Sequence, residues 1–343
     1  MHCYLIAEAG VNHNGSRELA LRLVDAAADA GADAVKFQTF RADDIVAPGT
    51  EKAGYQKEHT GDGDQHAMIR ALELTEDDHR AIADRCTERG IEFMSTPFDG
   101  WAVGLLLGLG MQRIKIASGE LTNRPFLEQL ARTGKPLILS TGMGTLEEVA
   151  RAVDWLKAAR NDAGLPEDPA GWLSVLHCTS NYPAAPSDVN LRAMRTLGDK
   201  LNVPVGYSDH TLGIEVSLAA VALGATVIEK HFTLDRSASG PDHQASLDPS
   251  QLAAMVQGVR NIERALGDGV KAPRASELPV RNLVRRSAFA ARDLKAGESL
   301  SLQDIRFIRP GTGIGAEHSA ELVGRRLARP VAAAAMLSWE DLV

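Results

Sequence analysis

VGYSDHTLG (205–213) and VIEKHF (227–232) each set an apolar run directly against ionisable residues, and each carries a histidine at or just past the end of that run. A strand buried along its length but polar at its far end is what a parallel barrel produces, because its site is built at the carboxyl ends of the strands and in the loops that follow. The same design recurs along the chain. Short β-branched or apolar runs at 4–8, 34–38, 92–95, 113–117, 136–140, 173–177, 204–208 and 227–231 alternate with segments of helical period such as RELALRLVDAAADAG and TEDDHRAIADRCTERG. Helix and strand thus repeat eight times within the first 267 residues, and GADAVK, GMQRIK and GATVIE look like one βα period seen again. The fold class expected is α/β, a (β/α)8 TIM barrel over 1–267. A linker rich in charge and proline (268–285) and a small β-rich domain (286–343) should follow.

Composition narrows the function. Of 343 residues, 45 are acidic and 37 basic, interspersed to a net charge of −8, so no basic stripe is available to track a nucleic-acid backbone. Cys3, Cys86 and Cys178 are far apart, which argues against a disulfide framework or a structural zinc site and favours a reducing, cytoplasmic setting. The first residues, MHCYLIAEAGVNHNG, lack the basic-then-apolar order of a secretory signal, and no apolar run is long enough to span a membrane.

The strand ends supply the chemistry. Glu8 follows the first run, Lys36 and Gln38 the second, Thr96 the third, Lys115, Ser118 and Glu120 the fourth, and Ser140 the fifth. His177, Ser180 and Tyr182 follow the sixth, Ser208 and His210 the seventh, Glu229 and His231 the eighth, with Asp242 farther on. If Gly206 points into the barrel, the period of two sends Ser208 and His210 the same way, Glu229 with His231, and Lys36 with Gln38. A single strand-end histidine is ordinarily a packing residue, whereas two on adjacent strands suit an open divalent-metal site for manganese, magnesium or zinc. An unpartnered buried ammonium is costly, so Lys36 and Lys115 imply a bound anion or a reactive amine. The hydroxyls of Thr96, Ser118, Ser140, Ser180 and Ser208 would hold a phosphate and a carboxylate together. The long polar stretch RADDIVAPGTEKAGYQKEHTGDGDQH reads equally as a lid or as a solvated insertion.

The motifs IAEAGVNHNG, AVKFQT, STPFD, IKIASGE, LILSTGM, LHCTSNYPA, GYSDHT, IEKHFT and GPDHQASL, with RRS and RPGTGI in the tail, span nearly the whole chain. In this order they resemble the sialic acid synthases, including the legionaminate and pseudaminate branches. The resemblance implies a barrel followed by an antifreeze-like (SAF) domain, in a domain-swapped homodimer where each SAF domain caps the partner's site. It also implies condensation of phosphoenolpyruvate with an N-acylated mannosamine-type sugar to a nonulosonic acid and phosphate. By motif, Lys36, Thr96, Lys115, Ser118, Ser140, Ser180, Tyr182 and Ser208 would form the phosphoenolpyruvate site, and His210 and His231 would ligate manganese, or else magnesium or cobalt. Glu8, Gln38, Asp242 and the partner copy's Arg309 would face the sugar, with Glu8 or Glu120 as the base. The GPDHQASL segment is nearer to the legionaminate and spore-coat branches. Two alternatives stay open: a Schiff-base aldolase using Lys115, and a non-catalytic role in polysaccharide assembly.

Overall fold

A computed structural model describes residues 2–343. The chain divides into two compact units, one ending at Gly267 and the other beginning at Asp268. In the first, eight parallel strands are β1 (Tyr4–Gly10), β2 (Ala34–Thr39), β3 (Glu92–Pro97), β4 (Ile114–Ile116), β5 (Leu137–Ser140), β6 (Leu173–Cys178), β7 (Val205–Asp209) and β8 (Val227–His231). They pair in the order β3-β2-β1-β8-β7-β6-β5-β4, and the two ends of that order, β3 and β4, lie side by side. The sequence placed every one of these strands, with ends displaced by at most two residues.

Two buried layers explain why these runs become strands. Residues of one parity, such as Leu5, Val35, Ile114, Leu139, Val175 and Ile228, join the core shared with the surrounding helices. Those of the other parity, Ile6, Ala34, Met94, Ile138, Leu176 and Val227, form a separate cluster that fills the barrel. Farther along the same strands, the inward positions are taken by Glu8, Lys36, Thr96, Ser140, Ser208 and Glu229, all buried. The middle of the barrel is therefore apolar inside, and the layer toward the carboxyl ends of the strands is polar.

Between β2 and the helix Glu76–Arg89, the polar insertion folds into three short helices, Ala42–Ile45, Gly54–Thr60 and Gln65–Arg70. Lys52 is buried within it and donates to Thr60 Oγ1 (2.9 Å) and to the Gly61 carbonyl (3.0 Å). The insertion thus has its own internal order and is not an unstructured solvated loop.

In the second unit, β9 (Ser287–Ala290) and β10 (Ile305–Ile308) pair antiparallel. A small core including Ala288, Leu300, Ile305, Leu322 and Leu327 lies around them. The helix Leu278–Val284, started by a proline in its first turn, precedes them with every residue exposed. Among the described residues no helix is long and apolar enough to cross a membrane.

Gly206 faces the barrel interior: a Cβ there would lie 2.6 Å from Leu176 Cδ2 and would also press on the Val227 carbonyl. Gly206→Val is expected to destabilise the protein by roughly 1–3 kcal/mol or more through overpacking. Chemical denaturation would check this, and an unchanged midpoint would refute the close packing.

Candidate active site

A cavity of about 530 Å³ opens at the carboxyl ends of the strands. Its lining includes Glu8, Lys36, Gln38, Thr96, Lys115, Ser118, Ser140, Ser180, Tyr182, Ser208, His210, His231 and Asp242, together with Glu229. Thirteen of the fifteen residues to which the sequence assigns a role therefore converge on one space.

Its floor is a set of four opposed charges. Lys36 Nζ lies 2.6 Å from Glu8 Oε2 and 3.7 Å from Glu229 Oε2, and it donates to Thr96 Oγ1 at 3.0 Å. Lys115 Nζ lies 3.4 Å from Glu229 Oε1, which also accepts from Ser208 Oγ at 2.9 Å. Gln38 Nε2 donates to Glu8 Oε1 at 3.3 Å. The four charged side chains are at most 5% exposed. At an effective dielectric near 20, a pair 4 Å apart is worth about 4 kcal/mol, enough to decide which groups ionise here. Burial pushes the Glu229 carboxyl up, but Lys115, Lys36 and the Ser208 hydroxyl outweigh it and hold the group below the ordinary range. Glu8 shifts the other way, because burial and the Glu229 charge outweigh its one near ammonium. Burial acts against the Lys36 ammonium, yet Glu229 and Glu8 raise it overall, while Lys115 is lowered chiefly by burial.

Beside this floor, hydroxyls crowd around a glycine. Gly142 N donates to Ser118 Oγ at 2.9 Å. A Cβ on Gly142 would meet Ser180 Oγ, with Ser118 Oγ at 3.0 Å and Cys178 Sγ at 3.1 Å. The missing side chain is what lets these groups come together. Ser140 Oγ is buried with no hydrogen-bond partner, so an incoming oxygen is its natural complement.

The histidines stand at the ends of β7 and β8. His210 Nδ1 is 2.7 Å from the Thr179 carbonyl, to which it can only donate, so the lone pair of the neutral ring lies on Nε2. The rings of His210 and His231 are 5.6 Å apart, and Tyr182 packs against both. His231 Nδ1 is buried without a hydrogen-bond partner and lies 3.9 Å from Asp242 Oδ2. Burial lowers His210 to about 4 and His231 well below its ordinary value, so both rings are neutral near pH 7, the form that ligates. Burial also raises Asp242 to about 6, against the opposing pull of His59 and Lys36. An orphaned ring nitrogen beside a second neutral imidazole fits a divalent cation. Among the described residues no group of three or more His, Cys, Asp or Glu could hold one alone, so the remaining ligands would be water or substrate.

Outward-facing neighbours fix these directions. Asp209 Oδ2 lies 3.1 Å from Lys230 Nζ, with both side chains fully buried. The Asp209 carboxylate further accepts from Thr211 N, Thr211 Oγ1 and Ser217 Oγ at 2.7–2.9 Å, and Lys230 Nζ donates to the Thr211 carbonyl.

Two expected residues are not in the cavity lining. Glu120 Oε2 accepts from Asn123 Nδ2 at 2.6 Å in the turn that caps the helix Arg124–Arg132. Arg309 belongs to the second unit, where it is exposed and its Nε donates to the Val284 carbonyl at 3.2 Å. His177 packs on Tyr207 and bonds the Val189 carbonyl, as a core histidine would. Glu229 was grouped with His231 by parity but given no role. The period of two was the signal that could have found it.

Fold and site together define a β/α-barrel enzyme with a charged, hydroxyl-lined mouth. The chain belongs to the NeuB family, whose model matches residues 23–271, and a SAF domain is matched at 285–343. It is 50% identical over its full length to N,N'-diacetyllegionaminic acid synthase of Legionella pneumophila, covering 95% of that protein. It is 46% identical over 94% of its length to the Campylobacter jejuni protein of the same name, again covering 94% of the relative. Among solved structures, the N-acetylneuraminic acid synthetase of Leptospira borgpetersenii, in complex with citrate, is 36% identical. That likeness covers 82% of this chain and 90% of that one, with a TM-score of 0.69.

Removing one partner of a buried ion pair strands the other charge. Lys230→Met should cost roughly 3–5 kcal/mol in denaturant unfolding. A loss below 1 kcal/mol would mean that the Asp209 contact does not organise β7 and β8.

Proposed function

We propose that this enzyme condenses phosphoenolpyruvate with an N-acylated mannosamine-type sugar, giving a nonulosonic acid of the sialic or legionaminic type and phosphate. The observation that carries this reading is the union, in one cavity, of two buried ammonium groups, a fan of hydroxyls and two neutral imidazoles. Lys36 and Lys115 offset the charge of the phosphate and carboxylate. Ser118, Ser140, Ser180, Ser208 and Thr96 orient them, and Tyr182 closes the side next to the histidines. Gln38 and Asp242 face the sugar. His210 and His231 would hold a divalent cation, manganese first and magnesium or cobalt after it, which supplies Lewis-acid polarisation of the sugar aldehyde. The methylene carbon of phosphoenolpyruvate forms the new bond to the aldehyde carbon as the carbonyl π pair moves to its oxygen, which gains a proton; water adds at carbon 2 and gives up its protons as phosphate leaves from that carbon with the C–O bond pair. Glu8, whose carboxyl burial raises, is suited to take the proton of that water, and ionised Glu229 to stabilise positive charge developing at carbon 2.

The protein acts as a cytoplasmic homodimer in this reading, with Arg309 of each copy reaching the other's sugar. The names of the relatives and the match of the NeuB model support the condensation itself. A Schiff-base aldolase would need Lys115 to attack as a free amine; its lowered pKa suits that role, but its contact with Glu229 favours the ammonium.

Phosphate release should require both phosphoenolpyruvate and sugar, vanish in chelator and return with manganese. His210→Ala should lower kcat by at least about 100-fold while the circular-dichroism spectrum and melting midpoint stay close to those of the parent. Full turnover in chelator, with borohydride trapping substrate on Lys115, would replace this mechanism by the aldolase.

A further inference from the structure

The motifs IAEAGVNHNG and GPDHQASL bring Glu8 and Asp242 to the cavity, and other polar residues of the two motifs are joined by hydrogen bonds. Just past β8 the chain leaves the barrel at Phe232 and returns at Leu247, where the two residues pair as a parallel bridge. Leu247 N donates to the His231 carbonyl, and Thr233 N to the Leu247 carbonyl, each at 2.9 Å. The loop closed by this neck carries Asp242.

Asn12 sits at the neck, 3% exposed. Its Nδ2 donates to the Phe232 carbonyl at 2.8 Å and to Ser246 Oγ at 2.9 Å, and Ser246 Oγ donates in turn to the Asp242 carbonyl at 2.7 Å. A carbonyl can only accept, so the protons of this chain run one way, from the Asn12 amide through the Ser246 hydroxyl to Asp242. Farther out, Asn14 Nδ2 donates to the Ser239 carbonyl at 2.9 Å, and Asn14 Oδ1 accepts from His243 Nε2 at 3.3 Å. Gly240 permits that approach: a Cβ there would lie 2.6 Å from His243 Cδ2 and 2.9 Å from Asn14 Oδ1. From the insertion, His59 Nδ1 donates to the Pro241 carbonyl at 3.0 Å.

Two observations give this clasp a role beyond packing. The Asp242 carboxylate stands 3.9 Å from His231 Nδ1, too far for a hydrogen bond, so the loop backbone sets where it stands. Asn12 Oδ1 is buried without a hydrogen-bond partner, a cost to stability that a side chain serving packing alone would not carry. We propose that Asn12 is a positioning residue of the reaction. By holding the neck through Phe232 and Ser246 it fixes Asp242 beside His231, while Asn14 steadies the outer part of the loop. This rests on the condensation reading above, in which Asp242 faces the sugar. Asn12 itself is not among the residues lining the cavity, so it acts through Asp242. Misplacing an orienting group by about 1 Å can cost about 100-fold in rate. The loss should fall on the sugar, because Lys36, Thr96, Lys115, Ser140 and Ser208 stand on other strands.

The test compares Asn12→Ala, Ser246→Ala, Asp242→Ala and a double variant carrying Asn12→Ala and Asp242→Ala, each checked for its fold by circular dichroism. Phosphate release is followed with N-acetylmannosamine or 2,4-diacetamido-2,4,6-trideoxymannose, whichever the parent turns over faster. Asn12→Ala should lower kcat/KM for the sugar by about 10- to 100-fold, while KM for phosphoenolpyruvate changes by less than about twofold. Ser246→Ala leaves the bond to Phe232 intact and should act in the same direction by about fivefold. In the Asp242→Ala background, Asn12→Ala should cost less than about twofold more, because both changes remove one effect. Backbone hydrogen exchange over residues 233–246 should quicken in Asn12→Ala and stay unchanged over β5 and β6. If Asn12→Ala does not fold, Ser246→Ala, alone and combined with Asp242→Ala, decides the same question. Unchanged sugar kinetics in the folded variants, an equal rise in both KM values, or losses that multiply in the double variant would overturn the proposal. Absence of phosphate release by the parent with either sugar would instead overturn the condensation reading, and the exchange rates would still decide whether Asn12 holds the loop.

Discussion

The structure depends on the register between β7 and β8. Asp209 and Lys230 stand directly opposite each other in that register, as do Ser208 and Glu229. The first pair points outward into a buried salt bridge, and the second points inward into the site. Because side chains alternate with period two, a slip of one residue would turn Glu229 and His231 out of the cavity and bring Lys230 in. A buried ion pair is a poor source of net stability compared with apolar packing. Its effect here is geometric: it is satisfied in one register only, and that register sets His210 beside His231.

On the inner face the same alternation separates two jobs. The amino-terminal layer of Ile6, Ala34, Met94, Ile138, Leu176 and Val227 is apolar and fills the barrel. The layer above it is charged, and that is tolerable because the charges are balanced. Two carboxyls and two ammonium groups lie within 4 Å of at least one opposite partner. Their unequal surroundings then divide the carboxyls into two kinds. Glu229 touches both lysines and is held ionised, whereas Glu8 touches one and is raised, so a single polar layer offers both a fixed negative charge and a proton acceptor.

The insertion after β2 adds a third character to the mouth. Strand ends can present only what the barrel's parity allows, and here that is polar. The short helices supply apolar side chains and two amides to the same cavity without disturbing the strands.

By itself the sequence determined the barrel, because eight apolar runs with polar carboxyl ends and helical spacers between them leave few other ways to bury both faces of each run. It also determined most of the site, since parity along β2, β7 and β8 aims Lys36, Gln38, Ser208, His210 and His231 without further information. Distances across the barrel decided the rest. Glu229 holds two lysines from strands far from it in the chain, and Glu120, though at a strand end, holds the side chain of Asn123, which caps a helix. The insertion showed no periodicity from which an apolar wall could be read, because Ile45, Met68 and Ile69 meet only after three short helices fold over β1–β3. Local pattern reports which way a residue points, and only the tertiary structure reports what it finds there.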